Sequence, residues 1–398
     1  MSSWPRYSPD EIQAVQQVLA AGRVNYWNGE EGRAFEREFA AFHHAPYGVA
    51  VANGTVALEL ALHALGVGPG DDVVVPSRTF LASASSIIVR GARPVFADVD
   101  PDTGTITAQT AREALTPHTR AIVAVHMAGW PCDMDALRAL ADEKGLVLIE
   151  DCAQAHGATW RGRPVGSQGD AAAFSFCTDK IMSTGGEGGM VLFHAKAAWR
   201  RAWSYKDHGK SWDAVHNLEH RPGFRWLHES IGTNWRLTEM QAAIGRVQLG
   251  ELPEWLARRR ENAQILAERL SWLPGLRVPV PPEEAGHAYY KFYAYVCPER
   301  LRPGWDRNRI VQAIQARGGT CLHGGCSEVY LERAFDGTGY RPKKRLPVAR
   351  DLGETSLMFL VDHTHSAAQM HQLADAVEAV MHEAVAGVPD ALRSAING

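Results

Sequence analysis

Residues 49–150 alternate short apolar runs with amphipathic stretches, and this alternation constrains the fold more than any other feature of the chain. Apolar runs at 49–52, 72–75, 94–97, 121–125 and 146–150 have the length of buried strands, while 56–65, 80–90, 108–115 and 133–144 carry helical periodicity. Strand–helix repeats of this kind build a mostly parallel sheet covered by helices on both faces, with ligands at the carboxyl ends of the strands. The expected fold class is therefore α/β. A chain of 398 residues exceeds the length at which one core usually stops growing. Two domains are expected, a large one over 1–255 and a smaller α/β one over 256–398. Ahead of the alternation, 8–21 and 32–43 are expected as helices, the first capped by Ser8, with a loop at 22–30. Beyond it, 238–249 and 256–273 are expected as two helices, the second ending at Pro274-Gly275, and the second domain is expected to begin along it. Then come a strand at 292–296, a helix at 308–317, an irregular stretch at 330–341 and a helix at 366–385.

Composition narrows the classes of function. Apolar residues make up 45% and charged residues 22%, as in a folded globular protein, and the net charge of -4 provides no basic field for nucleic acid or an anionic membrane. Six cysteines without a CxxC pair argue for reduced thiols in a cytoplasmic protein rather than for disulfides or zinc. Neither an export signal nor a run of 18 apolar residues is visible, so no membrane span is expected.

One lysine sits between an apolar strand and a glycine-rich turn, in Phe174-Ser175-Phe176-Cys177-Thr178-Asp179-Lys180-Ile181-Met182-Ser183-Thr184-Gly185-Gly186-Glu187-Gly188-Gly189-Met190. A catalytic lysine needs a pocket that lowers its pKa, and nearby glycines let backbone and cofactor approach closely. A solvated surface lysine beside a flexible turn has the same local pattern. Asn53-Gly54-Thr55 follows a strand and opens a helix, where free N–H groups, a hydroxyl and the helix dipole suit a phosphate, although an ordinary helix cap looks the same. Glu150-Asp151 ends a strand, so one carboxylate of the pair can point into a cleft and hold a heteroaromatic nitrogen protonated. A helix-capping or salt-bridged acid is the alternative there. Just beyond, Gln154 or His156 has the chemistry to hydrogen-bond a ring hydroxyl. Phe80, at the start of a helix, is a candidate either for stacking on a planar ring or for core packing. A phosphate cradle, a stacking aromatic, a strand-end acid and a later lysine are the parts of a pyridoxal phosphate site, and they occur here together.

These segments resemble the DegT/DnrJ/EryC1/StrS family of pyridoxal-phosphate-dependent sugar aminotransferases, of the aspartate-aminotransferase-like fold (fold type I). The match runs from Gly29-Glu30-Glu31 through Asn53-Gly54-Thr55, Pro76-Ser77-Arg78-Thr79-Phe80, Asp98-Val99-Asp100-Pro101, Glu150-Asp151-Cys152-Ala153-Gln154-Ala155-His156-Gly157 and Gly185-Gly186-Glu187-Gly188-Gly189-Met190 to Asn234-Trp235-Arg236-Leu237-Thr238. The resemblance implies that Lys180 forms the Schiff base with the cofactor, Asp151 pairs with its pyridine nitrogen and Gln154 contacts its ring hydroxyl. It implies further that Phe80 stacks on the ring and that Gly54, Thr55 and Ser175 hold the phosphate. Asn234, or its neighbour Arg236, would reach the phosphate of a second subunit's cofactor, which makes a homodimer the active unit. Two segments depart from the family. Cys321-Leu322-His323-Gly324-Gly325-Cys326-Ser327 stands where many relatives carry Tyr-Pro-x-Pro-Leu-His, and the 22–29 loop is rich in aromatic and amide side chains that are candidates for substrate contact.

The expected activity is transfer of an amino group from L-glutamate to a keto group on a nucleotide-linked sugar; by family analogy the first setting is a surface polysaccharide such as an O-antigen, and the next a natural-product glycoside. A pyridoxal-phosphate sugar dehydratase is the second reading, disfavoured because a dehydratase branch of the family has histidine at the position of Lys180. A non-catalytic regulatory or ligand-sensing protein is the third, and no nucleic-acid module supports it.

Overall fold

A computed structural model describes residues 3–385. Its main sheet holds the strands β1 (Tyr47–Val51), β2 (Asp72–Pro76), β3 (Arg93–Ala97), β4 (Thr119–Val125), β5 (Val147–Asp151), β6 (Ala171–Ser175) and β7 (Gly189–Phe193). They lie in the order β1-β7-β6-β5-β4-β2-β3. Only β7 runs antiparallel to its neighbours, and the rest of the sheet is parallel, as the alternation predicts. Successive residues face opposite sides of the sheet. Val73 and Val75 accordingly pack with Leu58 and Ile87 in one core, while Val74 packs with Met134 and Leu137 in another. Every residue of β2 and β6 is buried, which is why these strands read as continuous apolar runs.

A second, antiparallel sheet follows: β8 (Leu276–Arg277), β9 (Phe292–Val296), β10 (Cys321–Leu322) and β11 (Ser356–Phe359), in the order β8-β9-β11-β10. The helices Arg307–Ala316 and Ala367–Ala384 close its core around Phe292, Ala294, Ile310, Leu357 and Val377.

One expectation fails. Residues 238–249 and 256–273 do not form two helices; a single helix, Glu239–Leu270, runs through Pro253. Proline inside a helix forfeits a hydrogen bond and costs about 3 kcal/mol. Against that, the helix buries Leu249 and Leu252 on one side of the proline and Leu256, Ala263, Leu266 and Leu270 on the other. Each fully buried leucine contributes about 1.5–3 kcal/mol, so packing outweighs the local penalty. The helix starts cleanly: Thr238 and Gln241 cap each other reciprocally. Its first half packs on the helices Pro9–Ala21 and Glu31–Phe42 and its second on Ala367–Ala384, so it ties both sheets' cores together.

Candidate active site

The parallel strands β4, β5 and β6 end side by side, with Val125 paired to Asp151 and Asp151 to Ala173. Over these ends opens a cavity of about 530 Å³, and Gly54, Thr55, Phe80, Asp151, Gln154, Ser175 and Lys180 all line it. Segments separated by more than a hundred residues meet there because each follows the carboxyl end of a strand or opens the next helix.

The end of β5 sorts its two acids by alternation. Glu150 points away from the cavity, where it accepts from His126 Nε2 (3.1 Å) and from the backbone N–H groups of Gly166 (2.8 Å), Gln168 (2.9 Å) and Gly169 (2.6 Å). Those donors fill both of its oxygens. His126, Glu150 and Cys152 stand close enough to share an ion. Both His126 ring nitrogens are already engaged, however, Nε2 with Glu150 and Nδ1 as acceptor of the Cys132 N–H at 3.0 Å. Asp151 points into the cavity. Its Oδ2 accepts from the Ser83 hydroxyl at 2.7 Å, and its Oδ1 from the Ala153 N–H at 3.2 Å. Burial pushes the Asp151 carboxyl above its ordinary range, while Ser83, Ala153 and the Lys180 charge pull the other way. A cation against this acid would complete the compensation.

Gln154 accepts the Ala128 N–H on its Oε1 at 2.7 Å, which leaves its amide N–H groups to donate. Phe80 precedes the helix Leu81–Val89 at the cavity wall and is 67% exposed, an unusual state for a phenylalanine and one that suits a planar partner. Opposite, the helix Gly54–Ala64 begins with Asn53 accepting from the Val56 N–H at 3.0 Å. The Gly54 and Thr55 N–H groups remain as the orphan donors of the first turn. A Cβ at Gly54 would lie 2.5 Å from Ser175 Cβ and 2.9 Å from its Oγ, so only glycine lets helix and strand close into this cradle. The orphan donors, two hydroxyls and the helix dipole fit a phosphate, and the neutralisable acid fits a pyridine nitrogen. The donor set therefore fits pyridoxal phosphate.

Lys180 is mostly buried. Its Nζ lies 3.9 Å from Asp179 Oδ1 and 5.2 Å from the Tyr290 ring centroid. Tyr290 donates its hydroxyl to Asp179 Oδ2. Burial raises the Asp179 pKa, but Lys180 and the Tyr290 hydrogen bond more than offset it, and the net direction is down.

Other expected residues fall outside the cavity. His156 is fully buried among Phe39, Phe174 and Phe176, and burial holds its pKa well below the ordinary value, so of the two candidates only Gln154 faces the cavity. Asn234 is exposed and lines no part of this site, while Arg236 is held within its own chain by Asp207 at 2.7 Å. In the 22–29 loop, Tyr26 is buried with its hydroxyl on Glu36 (3.1 Å), and Trp27 packs edge-on against Trp203; both line a separate cavity. Sequence reasoning missed Ser83, Tyr290 and Trp4. Thr79 and Ser83 are one helical turn apart and bond each other at 2.7 Å, a spacing that was open to reading. Tyr290 and Trp4 reach the site only through the tertiary fold.

The model of the DegT/DnrJ/EryC1/StrS aminotransferase family matches residues 5–378. The chain belongs to this family. The aminotransferase is 36% identical over 364 residues to the dTDP-3-amino-3,4,6-trideoxy-alpha-D-glucose transaminase of Streptomyces venezuelae, covering 92% of this chain and 90% of the relative. It is 35% identical to the L-glutamine:2-deoxy-scyllo-inosose aminotransferase of Streptoalloteichus tenebrarius, over 95% and 93% of the two chains. A crystal structure of an aminotransferase from Psychrobacter cryohalolentis superposes with a TM-score of 0.94 at 52% identity, covering 96% of this chain and 99% of that one. Family and neighbours are pyridoxal-phosphate-dependent aminotransferases of fold type I.

Proposed function

We propose that this aminotransferase carries an amino group from L-glutamate to a keto group of a nucleotide-linked sugar, using pyridoxal phosphate. The observation that supports this most is the single cavity lined by Lys180, Asp151, Gln154, Phe80, Ser175, Thr55 and Gly54. When bound, the cofactor supplies an aldehyde to take up nitrogen and a ring that withdraws electrons. Lys180 would hold that aldehyde and, once free, its Nζ would accept and return a proton. Asp151, backed by the Ser83 hydroxyl, would keep the pyridine nitrogen protonated. Gln154 would donate to the ring oxygen, Phe80 would cover a ring face, and Gly54, Thr55 and Ser175 would bind the phosphate.

A homodimer is part of the proposal. Phe224 (78%), Trp226 (83%) and Ile231 (92%) are strongly exposed on the segment that leads to Asn234. Such a patch favours cover by a second subunit, into whose site Asn234 would reach. The choice of acceptor draws on the Streptomyces venezuelae relative, named for a dTDP-linked amino sugar. Supply of an amino sugar for a surface polysaccharide in the cytoplasm, and a domain division at 255/256 within the long helix, complete the reading. Among the described residues no helix is long and apolar enough to cross a membrane.

The test is the visible absorption of the reconstituted protein before and after L-glutamate, with L-glutamine as the second arm. Conversion of the lysine-bound band by L-glutamate is expected, together with loss of that band and of ketone amination in Lys180→Ala. Turnover retained in that variant would end the assignment.

A further inference from the structure

Behind the Lys180 segment, between the main sheet and the small one, lies a second cavity of about 350 Å³, lined by Trp4, Asp179, Arg259, Tyr290, Lys291 and Asp362 among others. Its acids already have donors. Asp179 takes the Tyr290 hydroxyl, while Asp362 takes the Thr364 N–H (3.1 Å) and hydroxyl (2.5 Å) and has His365 Nδ1 at 3.3 Å. Its bases are less fully bonded. Arg259, 1% exposed, donates from Nη1 to the Tyr289 carbonyl at 3.2 Å, but its Nε has no partner. Lys291 Nζ lies over the Tyr290 ring, 4.5 Å from its centroid, with the Asp179 and Asp362 charges nearby. Burial lowers Arg259 to about 10 and Lys291 to about 8, outweighing the pull of Asp362 on both and of Asp179 on Lys291.

We propose that Arg259 and Lys291 form the subsite that binds a carboxylate of the amino-acid donor. The inference rests on the reading of L-glutamate as donor and deepens it. Two relations connect the subsite to the reacting lysine. Asp179 lines both cavities, and the Tyr290 ring has Lys180 Nζ at 5.2 Å and Lys291 Nζ at 4.5 Å from its centroid. A carboxylate held at Lys291 leaves the donor's amine to cross Tyr290 toward Lys180, which fixes its orientation before any bond changes. The two cations recognise the carboxylate that every amino-acid donor carries, and charge-assisted hydrogen bonds are the strong kind in such a site.

The experiment measures calorimetric binding of 2-oxoglutarate, the keto acid left when L-glutamate gives up its nitrogen, to the reconstituted enzyme and to Lys291→Met. Lys291 lies outside the cofactor cavity, so the variant is expected to load pyridoxal phosphate normally, judged by the visible band, yet bind 2-oxoglutarate at least tenfold more weakly. Lys291→Arg should restore most of that binding, which a purely structural role for the side chain would not predict. Binding within twofold of the wild type in Lys291→Met overturns the proposal. So does a variant that weakens dTDP while leaving 2-oxoglutarate unchanged, since the cations would then serve the acceptor's phosphates. A wild-type enzyme that binds 2-oxoglutarate through Lys291 but is not converted by L-glutamate supports the subsite and sinks the choice of donor, so the two failures are distinct.

Discussion

The indole Nε1 of Trp4 donates to the main-chain carbonyl of Lys180 at 2.8 Å, although 176 residues separate them. The same indole packs edge-on against Trp255 (5.2 Å) and His363 (4.9 Å), and those two rings stack on each other at 4.3 Å. The amino-terminal segment thus holds the proposed reactive lysine's backbone against the long helix and the turn after β11.

Trp4→Phe keeps a ring in that cluster and removes the N–H. The lost hydrogen bond should cost about 1 kcal/mol of stability. If the tether orients Lys180, the rate of the L-glutamate half-reaction should also fall by up to about tenfold, equivalent to about 1.4 kcal/mol. Stopped-flow absorption and thermal denaturation of the same preparation separate the two effects. An unchanged rate beside the lower melting temperature would make Trp4 purely structural.

Gly54→Ala tests the phosphate cradle. Its Cβ would press into Ser175 at 2.5 Å, and relief requires the helix start to move off the strand end. Overpacking of this kind costs about 1–3 kcal/mol. The expected outcome is at least a tenfold loss in affinity for pyridoxal phosphate, read by titrating the apoprotein and following the visible band. Wild-type affinity in this variant would exclude the cradle as the phosphate site.

Acid stability is expected to depend on His43. The ring is fully buried beside Phe39 and Phe174, its Nδ1 bonded to the Val165 carbonyl at 2.9 Å, and burial lowers its pKa from 6.5 to about 4. Between these values the unfolded chain binds a proton that the folded protein refuses, so stability is full above pH 6.5 and is lost as pH falls toward 4. The shift corresponds to about 3 kcal/mol. His287, lowered to about 3 by burial, adds a similar slope. His43→Leu should lose about 1 kcal/mol at pH 7 with the Val165 bond and show a shallower decline between pH 6.5 and 4 in urea denaturation. A decline as steep as the wild type's would place the acid sensitivity elsewhere.

Local periodicity and short motifs determined a large share of this protein by themselves. The βα alternation marks the parallel strands because buried strands need apolar runs and covering helices need an apolar stripe. Gly54 stands out at the start of a helix, and a Cβ there would strike Ser175. Other features were decided by contacts between distant segments. Which of Glu150 and Asp151 faces the cavity depends on the pleat of β5 and on the loop around Gly166. Pro253 reads locally as a break, and only burial along both halves of the helix reverses that reading. His156, Tyr26 and Trp27 carry the chemistry of ligand contacts in sequence but pack away from the cavity, because the ring clusters around them bury more surface than exposure would allow. Trp4, Tyr290, Arg259 and Lys291 meet beside Lys180 with no local signal at all: a side chain's partners across a fold follow from packing geometry, which no single stretch of sequence encodes.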